Sequence, residues 1–146
     1  MDTDKITYKF LLLDEYLNLL NQIDSKGKVA FLSDKLLIGS AKYYLQVSIE
    51  ACLDVAGHII ASERLRAPKD YADSFAVLKE AGIISSELSD RLRQMAKFRN
   101  RLVHLYGEID NDFIYQIIQK DLDDFIKFKK SIANILKTYE HRKSHN

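Results

Sequence analysis

The stretch SDKLLIGSAKYYLQVSIEACLDVAGHIIASERL, from Ser33 to Leu65, decides the fold class. Its apolar residues do not alternate. Ile38, Leu45, Ile49, Cys52, Ala56 and Ile59 recur instead at three-four spacing, the period of a helix that buries one stripe. Leu37, Tyr44, Val47, Ala51 and Val55 widen that stripe, so this helix is expected to pack against more than one neighbour. Ser33 is its expected N-cap, and Pro68, the only proline, should stop it at or before Leu65.

The same period extends outward in both directions. Upstream, Asp4 to Ile23 reads as a helix with Ile6, Phe10, Leu13, Leu17 and Leu20 on one seam, followed by a polar connection, Asp24 to Lys28. Downstream, a short helix fits Tyr71 to Ala81, with Gly82 as its C-cap residue. A fourth begins at Ser85 or Ser86 and runs to Tyr106, stopping at Gly107. Asp110 or Asn111 can cap a fifth, whose stripe is Ile114, Ile118, Leu122, Phe125, Ile132 and Leu136, and a polar tail from about 140 is expected to fray. The expectation is an all-α, elongated bundle of about five helices, forming one domain over residues 1–146.

Composition limits what such a bundle can do. At 146 residues, 47% hydrophobic and 29% charged, the chain holds one core and is not a disordered tail. No apolar run approaches the roughly 20 residues of a membrane span, and MDTDKITYKF has no basic segment leading into an apolar one. A lone Cys52 excludes an internal disulfide and a cysteine zinc site, so the expected compartment is the cytoplasm. With 22 Lys+Arg against 21 Asp+Glu, bulk charge cannot coat nucleic acid. Any polyanion site must be local.

The fourth helix supplies one. Its seam reads Leu88, Leu92, Met95, Arg99, Leu102 and Tyr106, so a guanidinium occupies an aliphatic position. Burying that charge unpaired would cost several kcal/mol. Either an acid such as Glu50 or Asp54 meets Arg99 in the core, or the seam faces a cleft or a second subunit. Arg91, Arg93, Lys97, Arg99 and Arg101 occur with no acid between Arg91 and His104, which makes Lys97 and Arg101 candidate RNA contacts. Arg99 and His104 lie about 140° apart around the axis, so they do not stack within one copy, whereas Asn100 is four before His104 and could orient it. Two such helices related by a two-fold would bring two arginines and two histidines around one cleft. Histidine exchanges protons near neutral pH, and arginine grips phosphate and its developing charge. RNA carries its own nucleophile, the 2′-hydroxyl, so no metal is demanded. Glu50 and Asp54 belong to a polar stripe, Gln46, Glu50, Asp54 and His58, that is either a solvated face or a wall orienting Arg99.

The run Phe98-Arg99-Asn100-Arg101-Leu102-Val103-His104-Leu105-Tyr106 resembles the R-x4-H-x-Y signature of HEPN-domain ribonucleases of the HepT toxin group. Tyr44 to Ile60 is similar to that family's long second helix, and the Ala81-Gly82-Ile83-Ile84 turn fits as well. The resemblance implies an all-helical homodimer with a metal-independent ribonuclease site at the dimer interface and no cofactor. Arg99 and His104 would be catalytic and Asn100 supporting. It implies the toxin of a type VII-like toxin–antitoxin pair, whose MNT-type nucleotidyltransferase partner transfers AMP to the motif tyrosine, here Tyr106. The alternative is a non-enzymatic helical partner subunit of the nucleotidyltransferase.

Overall fold

The computed structural model describes residues 1–104 and 109–144. Among them are seven helices and no strand. They are α1 (Thr3–Ser25), α2 (Lys28–Leu32), α3 (Lys35–Ser62), α4 (Asp73–Glu80), α5 (Ser86–His104), α6 (Asn111–Lys120) and α7 (Asp123–Ser144). The all-α expectation holds, with two more helices than the periodicity indicates.

Both extra helices have local causes. Gly27, at φ +90°, turns the chain into α2, a five-residue turn of helix anchored by the fully buried Phe31. One buried residue leaves no period to read. Ser33 does not open the long helix: its hydroxyl donates to the carbonyls of Val29 and Ala30, closing α2, while Asp34 caps α3 by accepting from Leu36 and Leu37 N–H. The expected fifth helix is divided at Asp121, where Asp124 and Phe125 N–H reach back three residues, to Asp121 and Leu122, instead of four. This tighter turn directs Asp121 and Asp124 toward Arg91.

Helix ends follow capping chemistry. α3 stops at Ser62 because Arg64 takes a left-handed φ of +54° and Leu65 N–H bonds back to the Ile60 carbonyl, a six-to-one closure normally marked by glycine. Gly82, at φ +76°, makes the same closure after α4 through Ile83 N–H to Leu78. Ser85 caps α5 through Leu88 N–H, and Asp110 caps α6 through Asp112 N–H. The expected end of α5 at Tyr106 and Gly107 lies outside the described residues. α7 continues to Ser144, and Arg142 pairs with Glu63 at 3.5 Å.

Helix α3 is the axis of the bundle, about 42 Å long at 28 residues. α1 lies along it in the most extensive helix contact, and α4 and α5 cover another side. An 18-residue window of α3 has the mean hydropathy, 1.2, of a membrane span, so the sequence reading understated its apolar run. Fifty-six per cent of that window is buried by the other helices, as a central bundle helix requires. Phe10, Phe128 and Phe75 meet edge to face at centroid distances of 6.3 and 5.8 Å, locking α1, α7 and α4 together. This packing turns Glu50 of the polar stripe toward α5, and Asp54 and His58 toward α1 and its N-cap, which positions the site.

Candidate active site

On α5 the seam residues Leu88, Leu92, Met95 and Leu102 are buried, as their spacing predicts. Arg99, on the same seam, reaches α3 instead of filling the core. Its Nη2 donates to Glu50 Oε2 at 3.0 Å, and its Nη1 donates to Asn100 Oδ1 at 3.2 Å. Gln46 Nε2 donates to the other Glu50 oxygen at 3.2 Å, fixing the carboxylate from behind. The Arg99 side chain retains 17% exposure, enough to face a cleft without being freely hydrated. Its Nε is buried with no hydrogen-bond partner among the described residues. The guanidinium also lies 5.3 Å from the centroid of the Tyr71 ring.

Glu50, Leu53, Asp54, Tyr71 and Arg99 line an open cleft of about 330 Å³. Arg99 is therefore both paired with an internal acid and turned toward a groove. Of the two acids expected beside it, Glu50 makes the contact. Asp54 lines the cleft and accepts from Lys9 Nζ of α1 at 2.9 Å, a bond that lifts the Lys9 ammonium above the usual lysine range. His58, at the end of the stripe, accepts at Nε2 from the backbone N–H of Asp2 at 3.0 Å. The i,i+4 pair of Asp54 and His58 thus serves α1, and no cluster of metal-ligating side chains occurs among the described residues.

The other basic residues of α5 divide by role. Arg91 turns to α7, donating from Nε to the buried Asp124 at 2.7 Å and lying 3.5 Å from Asp121, so it is a structural brace. Burial pushes the Asp121 carboxyl above the usual range, and the Asp124 charge adds to the effect. Lys97 and Arg101 are exposed on α5, where Arg93 sits beside Asp90 at 3.9 Å. His104, exposed, is the last described residue of α5, five positions and about 140° around the axis from Arg99. Tyr106 lies outside the described residues. Tyr71 was missed as a site residue. An aromatic next to a proline linker gives no periodic signal, and only the fold brings it to Arg99.

The sequence model of the family described as Ribonuclease HepT-like matches residues 13–132. The mRNA nuclease HepT of Shewanella oneidensis is 34% identical over 125 residues, which cover 86% of this chain and 93% of that protein. The tRNA nuclease HepT of Aphanizomenon flos-aquae is 28% identical over 133 residues, 88% of each chain. Among solved structures, the tri-AMPylated Shewanella oneidensis HEPN toxin in complex with MNT antitoxin superposes with a TM-score of 0.86 at 33% identity, covering 92% of this chain and 99% of that one.

Proposed function

This chain belongs to the Ribonuclease HepT-like family, and from that premise we propose that it is the ribonuclease toxin of a toxin–antitoxin pair, one folded domain working in the cytoplasm as a homodimer. One observation carries the reading. Among the described residues, Arg99 is held by a single carboxylate at the edge of an open cleft, on the helix that carries His104. A guanidinium so placed keeps donors for a phosphate.

Arg99 holds the scissile phosphate and stabilises the charge that builds on it. The RNA 2′-hydroxyl attacks phosphorus and the 5′-oxygen leaves. His104 moves protons between these oxygens, so the protein supplies neither nucleophile nor metal. Because Arg99 and His104 diverge around α5, the complete site takes each from a different protomer across a two-fold. Asn100, through its bond to Arg99, fixes the arginine at the cleft, and its amide group is four residues from His104. Lys97 and Arg101 contact the RNA backbone. The partner is an MNT-type nucleotidyltransferase that transfers AMP to Tyr106, setting phosphate charge and a bulky base beside the arginines and excluding RNA.

Cleavage of RNA by the purified parent in EDTA tests the reading, with His104→Ala alongside. The parent should cut and His104→Ala should be at least about 10²-fold slower. Equal cutting by both would refute the role of His104. A parent that binds the nucleotidyltransferase tightly but never cuts would refute the nuclease reading in favour of a partner subunit.

A further inference from the structure

A second cleft, of about 600 Å³, continues from the first. Leu53, Asp54 and Tyr71 line both, Arg99 stands at one end, and Gly57, Pro68 and Asn100 carry the groove onward. Its size falls within the roughly 300–1,000 Å³ of ordinary small-molecule sites. The floor is apolar and the wall is Tyr71, a ring left 58% exposed beside a guanidinium. Apart from Asn100, which holds Arg99, the cleavage step uses no residue of this half of the groove.

Charge is arranged along the groove in a way that would sort the two halves of a nucleotide. The cationic group, Arg99, lies at one end and suits the backbone. Asp70 lines the far part and Asp54 borders both parts, and each carboxylate can accept hydrogen bonds from amino groups. Each keeps a carboxylate oxygen beyond the one already bonded, by Lys9 Nζ and by Asp73 N–H respectively. An unpaired base needs an aromatic face to stack on and groups for its polar edge, and both are present.

We propose that the groove between α3 and Tyr71 is a nucleobase subsite. The base next to the scissile phosphate stacks on Tyr71 and turns its amino-bearing edge to Asp54 and Asp70, so that uracil is the least favoured base. The inference rests on the ribonuclease reading and assigns part of its sequence preference to residues outside the R-x4-H-x-Y run.

The test uses the full-length protein and a random-sequence single-stranded RNA pool. Cut sites are sequenced for the parent, Tyr71→Ala, Tyr71→Phe and Asp54→Asn, and affinity for short RNA is measured in the His104→Ala background. The parent should avoid uracil at one position beside the cut. Tyr71→Ala should bind roughly 5- to 150-fold more weakly, the range carried by one base–aromatic stack, and lose that preference. Tyr71→Phe should restore both, because stacking needs the ring and not the hydroxyl. Asp54→Asn should relax the bias against uracil. Parent-like cutting and affinity in Tyr71→Ala would overturn the subsite and leave the nuclease reading intact. A parent that cuts no RNA would overturn both.

Discussion

Arg66 and Arg99 both meet carboxylates, and the difference between them separates structure from site. Arg66, after α3, is saturated: Nε donates to Glu80 at 2.9 Å, and Nη1 and Nη2 grip the two Asp73 oxygens at 2.7 and 3.0 Å. It bridges the loop to both ends of α4, and its side chain stays 42% exposed. Arg99 is more deeply placed yet, among the described residues, less satisfied, with one carboxylate, one amide oxygen and an unpartnered Nε. A guanidinium with all three nitrogens bonded to carboxylates holds a fold together. One that is half sheltered and incompletely bonded at a cleft holds something else.

Substitutions can break that contrast. The largest effect belongs to Arg99→Ala, which should slow RNA cleavage by about 10²–10³-fold, as loss of a charge-stabilising donor does, while leaving the melting temperature close to the parent's. Cleavage kinetics and thermal melts on one preparation check it. Next comes Asp124→Ala on α7. Asp124 is 3% exposed and bonded to Arg91, so its loss should cost about 2 kcal/mol in urea unfolding with cleavage by the folded protein unchanged.

Glu50→Gln sharpens the comparison from inside the site. The amide keeps shape but not charge, so Arg99 is less firmly held, and cleavage should fall by roughly tenfold with under about 1 kcal/mol lost in stability. The smallest effect is at the saturated arginine. Arg66, and then the Lys69 backbone N–H, hold the Asp73 carboxyl well below the usual carboxylate range. A lowered carboxyl pKa contributes stability above the unfolded value of about 3.9, lost as pH falls below it. Asp73→Asn should therefore cost at most about 1 kcal/mol at pH 7, with the gap to the parent closing below about pH 4.

Much of this was legible in the residues, for reasons that also mark where reading fails. The buried stripes of α1 and α3 stood out because three-four spacing repeats over about five turns or more. The interrupted seam at Arg99 stood out because the same rule makes an exception visible. Glu50 was legible as one of two acids, but choosing it over Asp54 needed Lys9, which only the packing of α1 brings near. α2 and the break at Asp121 depend on single residues and on Arg91 across the bundle, and a local period cannot carry such information. Tyr71 reaches Arg99 only through the loop before α4.

The central claim is that the arginine and the histidine of one reaction come from different copies of the chain. A heterodimer of one Arg99→Ala protomer and one His104→Ala protomer, purified through two different tags, tests it most directly. Its cleavage rate should rise well above that of either variant homodimer, because one arginine and one histidine then meet across the two-fold. A heterodimer no faster than the two homodimers would contradict it.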